Sequence, residues 1–387
     1  MSPPRIVVVS PYRSEYGPRE VLDHVLRALV LAGYEPICAL PPHATPPDAL
    51  ADLGLTTHVV DSLGTVPRTV SPRRLGRFMK DHLAAARRLA EIGRATGARS
   101  VYSVSEATLC GSIAARQLHV PGIVHAIGMS IQSPRITASL YIGMLDHLSD
   151  HVVACSSAVA DMFTRFGVPD SKITVVHNGI SVAEVDRSTT AVELMHEAPK
   201  IGMVAAYDPR KGHDLFLEAA AEVARHHPTA RFYLIGGTLE GQSESVAYEL
   251  RVEELIGDLR LREHVVQTGY VPAPHVYDWI RAMDIVVVPS RTEAFAHALL
   301  EAMACRKPVI ATGIEGNLDA FVHGHSGLYS ERDPRALAAL VMRLIDDPAE
   351  REALGAAARE RVALLFDLAV TVPANAQMLA QLLPRAV

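Results

Sequence analysis

Short, almost wholly apolar runs alternate with longer segments whose apolar residues recur at helical spacing. In the first half the short runs fall at residues 5–10, 35–40, 57–60, 100–103, 122–126, 151–155 and 173–176. Helical periodicity fills the gaps between them, most clearly at 18–32, 72–96, 106–117 and 157–166. Strands that read as continuous apolar runs are covered on both faces, so the pattern predicts parallel β-α-β units. The rhythm then restarts. Strands are expected at 200–205, 231–236, 265–268, 284–289, 308–312 and 327–329, with helices at 213–225, 243–259, 276–283, 298–304 and 334–344. Residues 181–199 carry few apolar clusters and are expected to join two sheets. The tail, 351–383, reads as helix interrupted at Pro373 and would cross back onto the first sheet.

The length of 387 residues fits two domains. The boundaries expected are 1–190 for the first, with a returning helix at 366–387, and 191–365 for the second. A net charge of −6 argues against a general nucleic-acid binder. Cys38, Cys110, Cys155 and Cys305 are widely spaced, so they read as small buried hydrophobes rather than disulfides or metal ligands. No signal-peptide pattern precedes the strand beginning near Ile6 and no run is long enough to span a bilayer; the expected location is cytoplasmic. The basic helix containing Arg73, Arg74, Arg77, Lys80, Arg87, Arg88 and Arg94 reads as a solvated face ahead of a peripheral membrane contact.

In open α/β sheets, ligands bind beyond the carboxyl ends of strands, where helix N-termini favour anions. Tyr207-Asp-Pro-Arg-Lys211-Gly212 is such a turn: Lys211 offers a point charge and Gly212 a close backbone approach. The competing reading is a solvated basic turn. Pro289-Ser-Arg-Thr-Glu293 is the second place, where Glu293 can accept from sugar hydroxyls and the N–H groups around residues 295–298 can face a phosphate. Glu301 lies two helical turns on and can take both hydroxyls of a ribose; the competing reading is a helix with acids near its N-terminus. His125, ending a strand, and Gly17, in the loop ahead of Pro18, are further candidates. Their plainer readings are a structural histidine and a simple turn. No Walker A motif, no G-x-S-x-G elbow and no D-x-D pair occurs, and His323-Gly-His325 reads as a loop; no metal is expected.

Taken in order, these pieces resemble the retaining glycosyltransferases of family 4. The most specific match is Glu293-Ala-Phe-Ala-His-Ala-Leu-Leu-Glu301, similar to that family's E-x7-E block. Val176-His-Asn-Gly-Ile180, Lys211-Gly212, Leu234-Ile-Gly-Gly237, Gln267-Thr-Gly-Tyr-Val271 and Gly324-His-Ser-Gly327 support it. The resemblance implies an α/β chain of the GT-B fold, two doubly wound Rossmann-like domains facing across a cleft, the first on the acceptor side and the second binding the donor. It implies transfer of a sugar from a nucleoside diphosphate sugar (a UDP-sugar first, a GDP-sugar second) to an acceptor hydroxyl of a small molecule, glycan or secondary metabolite, with no cofactor. Lys211 would bind the diphosphate, Glu293 the sugar and Glu301 the ribose, with Arg210, Phe295, Ala296 and His297 completing the donor site. His125 would lie beside the transferred sugar, and Gly17 matches the glycine loop that closes over the phosphates.

Three positions depart from the family pattern. Ala205-Ala206 stand where it has Gly-Arg, so the arginine that would assist Lys211 is missing; such a contact typically supplies about 3–4 kcal/mol of transition-state stabilisation. Arg210 or Arg13 are the candidates to replace it. Ala294 and Ala296 replace two glycines, and Ser181 replaces an acid. A nucleotide-sugar epimerase or phosphorylase of the same architecture, and a non-catalytic nucleotide-sugar binder, remain as alternatives.

Overall fold

A computed structural model describes residues 2–12, 16–65, 72–128, 135–188, 192, 194, 198–238, 243–273 and 275–383. Two compact units result: Met1–Gly179 together with Ala369–Val387, and Ile180–Leu368.

The first unit holds a seven-stranded sheet: β1 (Arg5–Val9), β2 (Glu35–Leu40), β3 (Thr56–Val59), β4 (Ser100–Val104), β5 (Gly122–Ala126), β6 (His151–Ala154) and β7 (Ile173–Val175). Their order is β3-β2-β1-β4-β5-β6-β7, with every pairing parallel. Helices bury both faces. One core gathers Val8, Leu26, Tyr34 and Tyr102, and the other Val7, Ile37, Leu89 and Ala114. The central strands β4 and β5 are therefore buried throughout, whereas the edge strand β3 is exposed along most of its length. Ala376 and Leu379 of the terminal helix Leu368–Leu382 belong to the first of these cores, and the Tyr34 hydroxyl donates to the Leu383 carbonyl at 3.2 Å.

The second unit holds six parallel strands in the order β10-β9-β8-β11-β12-β13: β8 (Lys200–Val204), β9 (Arg231–Ile235), β10 (Val265–Gln267), β11 (Ile285–Val288), β12 (Val309–Thr312) and β13 (Leu328–Ser330). The strand order reverses between β8 and β11, which are direct neighbours in register Ile285↔Ile201. Their following loops therefore emerge side by side at the carboxyl edge, the crevice where ligands bind in such sheets.

Several details differ from the sequence pattern. Residues 180–188, expected with the first domain, group with the second unit. Ile180 N donates to Phe366 O at 2.8 Å and Leu368 N to Ile180 O at 3.0 Å, while Ser188 Oγ donates to Asp278 Oδ1 at 2.6 Å. That bridge also breaks the helical tail at Phe366–Asp367, between helices Pro348–Leu365 and Leu368–Leu382; Pro373 lies inside the second helix without ending it. The helix expected from Glu106 begins at Cys110. Its would-be first turn is taken by side-chain hydrogen bonds: Ser105 Oγ accepts from Ala107 N at 2.9 Å, and Glu106 Oε2 accepts from Ile127 N at 3.0 Å and Gly128 N at 3.3 Å. Helix Arg135–Leu148 is an element the pattern did not reveal. No helix among the described residues is long and apolar enough to cross a membrane.

Candidate functional site

The loop after β8 is a tightly bonded turn. Asp208 is buried and caps the 3-10 turn Pro209–Lys211, its Oδ1 accepting from Arg210 N at 2.8 Å. The same carboxylate grips the Arg210 guanidinium, with Nε at 3.0 Å from both oxygens and Nη2 at 2.6 Å from Oδ2. Gly212 follows at φ +77°, ψ +35°, and helix His213–His226 starts there. A Cβ at Gly212 would lie 2.1 Å from the Pro289 carbonyl oxygen, so only glycine suits this position in both conformation and space. The close approach read from the sequence is thus made to the end of β11. His213 is buried against Tyr207 (ring centroids 4.9 Å apart, stacked); burial pushes its imidazole down to about 4, opposed by Asp214 and assisted by Lys211. The base of the turn is held by Ser245 Oγ donating to Tyr207 O at 2.6 Å and Gln267 Nε2 donating to the Tyr207 hydroxyl at 2.8 Å.

The loop after β11 locks onto that turn. Arg291 N donates to Arg210 O at 2.6 Å, and the Arg291 guanidinium holds both Asp214 oxygens at 2.7 and 2.6 Å. Ser290 is fixed from β12, its carbonyl accepting from Thr312 Oγ1 at 2.5 Å. Its hydroxyl donates to Glu293 Oε1 at 2.8 Å, and Lys211 Nζ lies 2.5 Å from the same oxygen. Glu293 Oε2 accepts no hydrogen bond among the described residues. The side chains are 31% (Lys211) and 12% (Glu293) exposed, so the pair is largely shielded yet reachable. Gly316 presses on this loop from the far side: a Cβ there would sit 2.2 Å from Glu293 O.

Helix His297–Ala304 begins immediately beyond, with Ala296 as an N-cap that supplies no side-chain bond. Its first N–H groups and dipole point toward the loop that carries Glu293. His297 is half-buried, with its Nε2 shielded. Burial lowers its imidazole to about 4, while Glu293 opposes and Lys211 adds to the shift, which places the ring beside the pair. Phe295 is buried, and its ring packs on Phe366 at 5.4 Å; any contact with a ligand falls to its backbone. Glu301 is a buried carboxylate one turn beyond His297. The structure therefore brings Lys211 and Glu293 together with His297 beside them, and directs Arg210 to Asp208.

In the first unit, His125 closes β5 at 3% exposure, its Nδ1 3.0 Å from the Tyr102 hydroxyl on β4. Burial lowers its imidazole to about 4. Gly17 lies in the first turn of helix Tyr16–Leu31, which starts ahead of Pro18, so it is a helical residue and not part of a preceding loop. Arg13 and residues 129–134 lie outside the described residues. Among the described residues no group of three His, Cys, Asp or Glu side chains could hold a metal ion. His323 instead accepts from Tyr329 N at 2.9 Å and stacks on the Tyr329 ring, a loop-stabilising role. Sequence reasoning missed Ser290 and Tyr102. Ser290 was legible as the polar residue that ends an apolar strand just ahead of Glu293, whereas Tyr102 meets His125 only through the β4–β5 register, Val104↔His125.

A family model described as "Glycosyltransferase Family 4" matches residues 17–184, and one described as "Glycosyl transferases group 1" matches residues 186–361. A D-inositol 3-phosphate glycosyltransferase of Thermobispora bispora is 31% identical over 246 residues, 62% of this chain and 57% of that protein. The chain spans roughly half the length of the curated relatives it matches. Among solved structures, a glycosyltransferase from Rickettsia africae superposes with a TM-score of 0.80 at 20% identity, covering 99% of both chains. Anabaena Alr3699/HepE in complex with UDP gives 0.78 at 19% identity, covering 97% of this chain and 100% of that one; the same protein is also known in complex with UDP-glucose. At these identities the likeness establishes the shared fold.

Proposed function

The chain belongs to the group 1 glycosyltransferases of family 4, and from that membership we propose that it transfers a sugar from a nucleoside diphosphate sugar to an acceptor hydroxyl with retention at the anomeric carbon. The observation that carries this reading is the 2.5 Å pair of Lys211 Nζ and Glu293 Oε1 at the β8/β11 switch point. Glu293 Oε1 already accepts from Lys211 and Ser290, which orients the carboxylate and leaves Oε2 for sugar hydroxyls. Lys211 has two further N–H donors, and the N-terminus of helix His297–Ala304 offers backbone donors; both suit a diphosphate.

As the bond from the anomeric carbon to the diphosphate breaks, the sugar becomes oxocarbenium-like and negative charge grows on the departing phosphate oxygen. Lys211 and the helix N-terminus stabilise that charge, and Glu293 fixes the sugar through its hydroxyls. The acceptor oxygen bonds to the anomeric carbon on the face the diphosphate leaves, and its proton passes to the leaving phosphate oxygen. No side chain of the second unit is needed as a base. The family resemblance implies that His125 lies beside the transferred sugar, where its imidazole would meet a substrate oxygen. Arg210 serves the turn by holding Asp208 and does not take over the missing arginine's role.

UDP-glucose is the first donor to test, because HepE is known with it. D-inositol 3-phosphate is the first acceptor, because the curated relatives carry that name. A donor-binding protein without turnover is the second reading, favoured by Ala206 in place of arginine and by the engagement of Arg210 with Asp208. Incubation with UDP-sugars and GDP-sugars across an acceptor panel, following nucleoside diphosphate release and the anomeric coupling of the product by NMR, separates them. Release with a retained anomer supports transfer. Donor binding without release supports the second reading, and a changed sugar with no acceptor present would make the protein an epimerase.

A further inference from the structure

We propose that Tyr102 is a positioning residue that fixes His125 in its Nε2–H tautomer, so that the imidazole presents a hydrogen-bond donor to a substrate oxygen and not a base. The proposal rests on the reading above for His125 and specifies what the ring does there. Tyr102 and His125 project from adjacent parallel strands on one face of the sheet: Val104 pairs with His125, and Tyr102 stands two residues before Val104. Tyr102 is fully buried, with its hydroxyl 3.0 Å from His125 Nδ1. The two rings meet nearly edge-on, with centroids 6.0 Å apart and planes at 82°. His125 Nε2 is shielded from solvent and has no hydrogen-bond partner among the described residues.

Counting donors decides the tautomer. If Nδ1 carried the proton and donated to the phenol, the phenolic proton would be left without an acceptor in a fully buried position, with Nε2 a bare lone pair. If the phenol donates to Nδ1, its proton is used, and Nε2–H is the single donor left to meet a ligand. An unpaired buried polar group costs about 1–3 kcal/mol, so the second arrangement prevails. Burial acts in the same sense, raising the phenol and lowering the imidazole so that both stay neutral. The surroundings hold the arrangement. Glu106 Oε2 anchors Ile127 N and Gly128 N just past His125, and Tyr141 Oη donates to Glu106 O at 2.9 Å. A neutral N–H donor suits a sugar hydroxyl or ring oxygen, and it leaves the acceptor's proton to the departing phosphate.

The test uses 15N-labelled full-length protein and long-range 1H–15N correlations of the imidazoles, with His125→Gln identifying the His125 signals among the 18 histidines. The expected spectrum shows a protonated, pyrrole-like Nε2 and an unprotonated, pyridine-like Nδ1, unchanged across neutral pH. In Tyr102→Phe the two tautomers mix, and kcat falls about tenfold at unchanged donor KM, the value of one hydrogen bond expressed as a rate. A protonated Nδ1 in the unmodified protein overturns the assignment whether or not the variant folds. So does a Tyr102→Phe protein with unaltered tautomer and kcat. Full turnover in His125→Ala, which has no side-chain donor, would overturn the substrate contact instead, and the spectrum of the unmodified protein separates that failure from this one.

Discussion

Gly212→Ala should do two kinds of damage that can be measured separately. The residue sits at φ +77°, where a side chain adds about 1–2 kcal/mol of strain. The new Cβ would also lie 2.1 Å from the Pro289 carbonyl oxygen, whereas carbon and oxygen ordinarily approach to about 3.3 Å. The β8 and β11 loops must therefore part by about 1 Å, with an overpacking cost of about 1–3 kcal/mol. Together these destabilise the Ile180–Leu368 unit by about 3 kcal/mol, a fall of roughly 6–12 °C in Tm. The parting falls between Lys211 and Ser290, the neighbours of the two residues that would clash, so the Lys211–Glu293 pair opens with it. A misplacement of about 1 Å in a reacting constellation lowers turnover about 100-fold. Gly324→Ala is the control, since Gly324 shares the backbone conformation (φ +75°) with nothing within 4 Å of the added Cβ. The assay pairs thermal unfolding with nucleoside diphosphate release. The reasoning is refuted if Gly212→Ala melts no lower than Gly324→Ala and turns over normally.

Arg210→Ala should lower kcat by less than about tenfold and mainly loosen the turn, since its guanidinium is committed to Asp208 and a partly exposed pair contributes about 0–1 kcal/mol; a loss as large as that of Lys211→Met would show that it meets the diphosphate after all. Stability should fall as pH drops from about 6.5 to about 4. His82, His125, His213 and His297 are each lowered by burial from 6.5 to about 4, so the unfolded chain takes up protons first in that window and folding loses free energy with every step down. Urea midpoints that rise or stay level between pH 7 and pH 5 would contradict the burial of these rings.

Most of the architecture was legible because the strands are apolar on both faces, as in Ile285–Val288 and Val309–Thr312, where every residue is buried. What escaped depends on contacts distant in sequence. Helix Arg135–Leu148 exposes Leu140 and Met144, which blurs its apolar stripe. The tail breaks at Phe366 and Asp367 because Ile180 pairs there, and no local pattern announces that. Glu106 leaves the helix because its carboxylate holds Ile127 and Gly128 of another loop. At the site, Lys211 and Glu293 could each be picked out from their place at a strand end, but their pairing across 82 residues follows only from the β8–β11 adjacency. Gly212 was recognisable as a close-approach glycine, and its neighbour proved to be Pro289. Arg210 was picked out as a donor-site residue, but its grip on both oxygens of Asp208, two residues earlier, was not legible in the pattern.

The central claim is that Lys211 meets the donor's phosphates while Glu293 meets its sugar. Calorimetric titration of UDP and of UDP-glucose into the unmodified protein, Lys211→Met and Glu293→Gln tests it directly. The account predicts that Lys211→Met weakens both ligands alike, and that Glu293→Gln weakens UDP-glucose while leaving UDP nearly unchanged. Equal losses for the two ligands in Glu293→Gln, or undiminished UDP binding in Lys211→Met, would contradict it.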